Sequence, residues 1–121
     1  MSEWPELLRG QVVQVNLDPV VGSEIGKTRP AVVVQNDVGN RFSPTIIVVA
    51  ITRFSKARSR FPFCVAIVAG DGGLTAASIA NTAQIRTVDR RRIADQPLGQ
   101  ISSEVMQQID AALALSLGLP G

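Results

Sequence analysis

The sequence predicts a mostly β fold closed by one C-terminal α-helix, an α+β arrangement. Two observations carry this. Between residues 9 and 88 lie five apolar, largely β-branched runs, each bounded by Gly, Pro, Asn or Asp. From Ser102 onward the apolar positions switch to spacings of three and four. Five strands and a terminal helix, within a length that suits one domain over residues 1–121, point to a small, strongly curved antiparallel barrel with the helix packed beside it.

The first run, RGQVVQVNL at 9–17, alternates loosely through Val12, Val13, Val15 and Leu17 and stops at Asp18 and Pro19. VVGSEIGKT follows as a polar loop, with Gly22 and Gly26 bracketing Ser23 and Glu24. PAVVVQ at 30–35 is the second strand, broken by Asn36, Asp37, Gly39 and Asn40. TIIVVAIT at 45–52 is continuously apolar, as in a strand buried on both faces. FCVAIV at 63–68 ends at the turn GDGG, and ASIANTAQIRTV at 77–88 is the fifth strand. In the helix, Val105, Met106, Ile109, Ala112, Leu113 and Leu117 form the apolar face. Ser102 caps its start, Glu104 suits the positive end of its dipole, and Gly118 with Pro120 ends it.

Hydrophobic residues make up 45% of the chain and charged residues 18%, enough apolar material for a core. The net charge is only +2, but ten of the twelve cationic residues are arginine, which grips phosphate bidentately and stacks on bases. One cysteine, Cys64, excludes an intrachain disulfide; in its apolar run it reads as a buried strand residue. MSEWPELLRG shows no leader pattern, and no apolar run approaches the ~18 residues of a membrane span. A cytoplasmic protein is expected.

The absent residue types narrow the chemistry. With no histidine, the usual acid–base pair of ribonucleases, the Ser-His and Cys-His nucleophiles and the commonest zinc ligand are all missing. The acidic residues form no tight pair or metal-spaced cluster, and no GxGxxG or GxxxxGK[ST] is present, so neither metal nor nucleotide cofactor is expected. An enzyme with this toolset suits a substrate that brings its own nucleophile. RNA does: its 2′-hydroxyl attacks the adjacent phosphorus when held in line, and the protein supplies orientation and charge stabilisation.

RGQVVQVNLDPVVGSEIGKTRPAVVVQND, PTIIVVAIT and QIRTVDRRRI, in this order over about residues 9–93, closely resemble the MazF/PemK toxins. Gln11, Ile25 and Ala50-Ile51 depart mildly from the family pattern. The resemblance implies an SH3-like antiparallel barrel of the MazF/PemK/CcdB type and a homodimer. It also implies a cognate MazE-like antitoxin and metal-independent, sequence-specific cleavage of single-stranded RNA, leaving 2′,3′-cyclic phosphate and 5′-hydroxyl ends. The family's catalytic pair falls on Arg29 and Thr52. Arg29 would grip the scissile phosphate, chiefly as an electrostatic stabiliser and secondarily as a proton donor. Thr52 would bond a phosphoryl oxygen or orient the 2′-hydroxyl.

Around that pair, Ser23, Glu24 and Lys27 stand in a loop of the kind that carries binding residues, or one that is a plain turn. TRFSKARSRFPF sets Arg53, Lys56, Arg58 and Arg60 among Phe54, Phe61 and Phe63 with no acid between them, the pattern of phosphate contacts beside aromatic platforms; Phe63 reads as a core anchor. Gln84 matches the family's substrate-groove glutamine, whereas Arg86, Asp89 and Arg90 to Arg92 read as strand-end ion pairs. Two rivals remain: a non-catalytic CcdB-like toxin that binds DNA gyrase, and a barrel module that binds nucleic acid without cutting it. Neither needs the Arg29–Thr52 pair.

Overall fold

The computed structural model describes residues 5–120; residues 1–4, where the stretch read as leader-free begins, lie outside them. Strands β1 (Gln11–Asn16), β2 (Thr28–Val33), β3 (Thr45–Arg53), β4 (Cys64–Ile67), β5 (Ser78–Asp89) and β6 (Gly99–Gln100) form one curled antiparallel sheet in the order β4-β5-β3-β2-β1-β6. Two helices accompany it, α1 (Asp37–Phe42) and α2 (Ser103–Leu117).

The sheet carries a core on each face, and β3 shows why its sequence is continuously apolar. Val49 and Ile51 join Val12, Val32, Val65, Ile67 and Ala80 on the face that α2 covers with Ile109 and Ala112. Ile46, Val48 and Ala50 point the other way and pack with Val13, Val15, Leu17, Ala31 and Val33, closed by Leu7 and flanked by Ile25 and Ile93. Each buried Val, Leu or Ile contributes ~1.5–3 kcal/mol, so β3 is the strand the fold can least spare. Thr82, fully buried on β5, ties the layers together: its hydroxyl lies 2.7 Å from Phe63 O, 2.7 Å from Ser116 Oγ and 3.2 Å from Ala112 O.

The C-terminal helix matches its reading. Ser102 Oγ accepts from Val105 N, and Gly118 closes α2 in the left-handed region at φ 68°. Two elements differ from expectation. The break at 36–40 is instead the N-terminus of α1, where Asn36 Oδ1 accepts from Gly39 N at 2.8 Å and Asn40 is buried. A sixth strand also appears, pairing Gly99 and Gln100 with Val12 and Gln11 of β1, and Gly99 packs so close to Gly72 and Gly73 that a Cβ there would strike their backbone. Among the described residues, no helix is long and apolar enough to cross a membrane.

Candidate active site

Arg29 and Thr52 lie on neighbouring strands, each two residues past the last positions paired between β2 and β3. Ala31 pairs with Ala50, Val32 with Val49 and Val33 with Val48; continued by two residues, that register faces Arg29 with Thr52. Directly opposed residues of an antiparallel pair share a face. Here it is the face of the second core, because Ala31 and Ala50 belong to that core and Arg29 pairs across β1 with Val15. The pair thus stands at one end of the sheet, where the apolar core gives way to solvent.

Arg29 is half-buried and tethered at one point: its Nε donates to Gly26 O at 2.9 Å. Its two terminal nitrogens have no partner among the described residues, nor does a carboxylate stand against it. Thr52 is only 9% exposed, and its hydroxyl likewise has no protein partner among the described residues. A fork with its Nε pinned and its other donors open, beside an unengaged hydroxyl, is suited to a tetrahedral oxyanion.

The loop between β1 and β2 is tightly bonded. Glu24 Oε1 accepts from Val21 N at 2.5 Å, so this carboxylate shapes the loop in addition to whatever it contacts outside. Lys27 sits at φ 66°, a costly conformation for a non-glycine residue, with its N–H donated to Asp18 Oδ1 at 2.8 Å and its carbonyl accepting from Leu17 N. Ser23 is exposed. Gln84 reaches this loop from β5: its Oε1 accepts from Ile25 N at 3.2 Å, leaving its amide N–H groups without a partner among the described residues.

Past Thr52 the chain becomes basic and exposed. Arg53, Phe54, Lys56, Arg58, Arg60 and Phe61 all present surface to solvent, and a short 3-10 turn carries Arg58–Arg60. Phe61 and Phe63 stack on each other with centroids 5.2 Å apart, so the half-buried Phe63 supports an exposed Phe61 platform. Cys64 follows at the start of β4, half-buried rather than buried as its apolar run suggests; the burial it has pushes its thiol up, against the opposing pull of Arg58.

The ion-pair reading of the β5 end needs correction. Arg91 does pair with Asp89 at 3.0 Å, holding that carboxyl below its usual range. Arg92 and Arg86 bond backbone carbonyls among the described residues, Arg92 to Asn16 O and Asp18 O and Arg86 to Ile25 O and Leu17 O, and Arg90 Nε also donates to a carbonyl, that of Ser43. Among the described residues, no group of three or more His, Cys, Asp or Glu comes together as a metal site would require. The cavity of about 650 Å³ between residues 5–8 and α1 includes none of the predicted site residues.

Residues 8–117 match the family model described as PemK-like, MazF-like toxin of type II toxin–antitoxin system. The endoribonuclease EndoA of Bacillus subtilis (strain 168) is 45% identical over 111 residues, 92% of this chain and 94% of that protein. Among solved structures, an endoribonuclease in complex with its cognate antitoxin from a mycobacterial species is 29% identical, with TM-score 0.75 over 95% of this chain and 98% of that one. MazF from Deinococcus radiodurans, 24% identical, shares the fold at TM-score 0.79 over 93% and 97% of the two chains.

Proposed function

This chain belongs to the PemK-like, MazF-like toxins of type II toxin–antitoxin systems, and from that membership and the geometry above we propose a metal-independent, sequence-specific endoribonuclease acting on single-stranded RNA. The observation that supports the reading is the β2–β3 register, which, extended two residues past Ala31 and Ala50, faces an arginine with open donors toward a threonine with an open hydroxyl.

The chemistry follows from what the pair lacks. Neither side chain is a competent base near neutral pH, so the attacking oxygen is the RNA 2′-hydroxyl, which gives its proton to solvent water, and the bond broken is that from phosphorus to the 5′-oxygen, which takes a proton back from solvent. Arg29 binds the phosphoryl oxygens through its two terminal nitrogens and gains strength as charge builds there. A guanidinium gives up a proton poorly, so Arg29 acts as an electrostatic stabiliser first. Thr52 donates its hydroxyl to a phosphoryl oxygen or holds the 2′-oxygen in line. The products are a 2′,3′-cyclic phosphate and a 5′-hydroxyl.

Arg53, Lys56, Arg58 and Arg60 track the phosphates of the flanking nucleotides, with Phe54 and Phe61 as stacking platforms. Ser23, Glu24 and Lys27 meet the RNA from the β1–β2 loop, and the free amide of Gln84 donates to a base edge. The chain acts as a single domain, in the cytoplasm, as a homodimer without cofactor. A cognate MazE-like antitoxin restrains it, a proposal supported by the mycobacterial endoribonuclease seen in complex with its own cognate antitoxin. The gyrase-binding alternative has no comparable observation behind it.

Incubating the pure protein with a long unstructured RNA in EDTA and mapping the new ends tests this. Discrete cuts bearing cyclic phosphate and 5′-hydroxyl termini are expected. Intact RNA under every condition would refute the enzyme, and cuts abolished by EDTA would refute the metal-free route.

A further inference from the structure

Arg86 has no part in the reading above, yet it is the side chain most deeply engaged with the loop that leads into Arg29. It is mounted on β5 opposite Val48 of the central strand β3, and lies half-buried. One terminal nitrogen donates to Ile25 O at 3.2 Å and the other to Leu17 O at 3.1 Å, so a single guanidinium spans both ends of the β1–β2 loop. Two residues earlier on the same strand face, Gln84 takes the N–H of that same Ile25. The Ile25 backbone is therefore held from both its donor and its acceptor by one strand. The next carbonyl along, that of Gly26, is the acceptor that pins Arg29 Nε at 2.9 Å.

We propose that Arg86 is a positioning residue: by clamping Leu17 O and Ile25 O it fixes the Gly26 carbonyl, and through it the orientation of the Arg29 fork. The inference rests on the catalytic reading of Arg29. Several features favour this role over plain loop stabilisation. Arg86 has no carboxylate partner among the described residues; both its recorded bonds go to the loop's carbonyls. The loop also carries a costly left-handed Lys27 between Gly26 and β2, a conformation that persists only where its surroundings hold it. A planar fork reaches two carbonyls at once; lysine reaches one and an uncharged chain reaches none. Pinning matters because a transition-state donor must be in place before charge develops, and a displacement of ~1 Å is enough to cost 10²-fold.

The test combines kinetics with a direct view of Arg29. Arg86→Met and Arg86→Lys are made in the wild-type and Arg29→Ala backgrounds, with Tm recorded for each. Cleavage is followed under single-turnover conditions long enough to quantify the slow Arg29→Ala rate, and RNA binding is measured separately. R86M is expected to lower the cleavage rate at least tenfold while RNA affinity changes less than threefold, with R86K in between. In the R29A background the same substitution should cost less than twofold, because a residue acting through Arg29 has nothing left to act on. The exchange rate of the Arg29 Nε proton, assigned in NMR spectra by its loss in R29K, should rise at least tenfold in R86M.

A rate loss of equal size in both backgrounds, or an unchanged Nε proton, overturns the proposal. If R86M is unfolded at the assay temperature, R86K carries the same comparisons with smaller expected effects. If R29A itself cleaves within threefold of wild type, the catalytic reading of Arg29 fails, while the Nε proton still decides whether Arg86 positions it.

Discussion

Replacing Arg29 with alanine removes the one group whose geometry most clearly suits a phosphorane-like transition state. Its Nε is occupied by Gly26 O at 2.9 Å, which leaves the terminal amino groups as a fork that needs no rearrangement when the phosphate arrives. Loss of one preorganised donor to a developing oxyanion costs about 10²–10³ in rate, or ~2.7–4 kcal/mol. The full guanidinium places R29A at the upper end of that range. Arg29→Lys keeps the charge, but its single nitrogen serves either the phosphate or Gly26 O, so a loss of roughly one order of magnitude is expected. The assay is single-turnover cleavage of a short RNA containing one mapped cut, with enzyme in excess so that product release does not mask the chemical step. RNA binding should weaken far less than the rate falls, and Tm should barely move, since Arg29 has no ion pair to lose among the described residues. An R29A rate within threefold of wild type would refute this assignment.

Thr52→Val keeps the shape of a 9%-exposed side chain and removes only a hydroxyl without a protein partner; cleavage should fall at least tenfold. Tm should hold or rise slightly, and a large drop in Tm would mean the hydroxyl serves the fold. Neutralising Lys56 and Arg58 together should flatten the slope of log affinity against log salt by about 1.4, since each single-strand phosphate contact contributes ~0.7. An unchanged slope would remove the β3–β4 loop from the RNA path. Thr82→Val should cost ~1–3 kcal/mol in denaturant unfolding, because it removes a fully buried hydroxyl that bonds Phe63 O just before β4 and Ala112 O and Ser116 Oγ on α2. Per-molecule activity of the folded fraction should stay as in wild type.

Much of this was legible in one dimension because the informative features are local. Val12 to Leu17, Ile46 to Ile51 and Val105 to Leu117 declare their periods within a dozen residues, and Ser102 and Gly118 are caps whose chemistry is carried by the residues themselves. A resemblance points to Arg29 and Thr52, and the β2–β3 register faces them toward each other only when extended two residues past Ala31 and Ala50. What stayed hidden depends on distance along the chain. Gln84 and Arg86 bond Ile25 from 59 and 61 residues away, and no pattern near QIRT announces where those donors and acceptors go. The β5-end arginines read as ion pairs because Asp89 is adjacent; among the described residues Arg91 bonds it directly, while Arg92 crosses to carbonyls of another segment. The α1 helix was missed for a different reason: Asn36 followed by Asp37 is a helix-start signal, but Gly39 and a length of 6 residues made it look like a turn. β6, 2 residues long, pairs with β1 and has no periodicity to read.

The most direct measurement replaces one atom of the substrate and none of the protein. Once a cut site is mapped, an RNA is made with a single 2′-deoxynucleotide immediately 5′ of the scissile phosphate. With the RNA's own hydroxyl as nucleophile, cleavage at that bond vanishes, while binding and cutting at an unmodified second copy of the site in the same strand persist. Cleavage of the modified bond at an undiminished rate would show that the nucleophile comes from the protein or from water, and the mechanism built on Arg29 and Thr52 would be wrong.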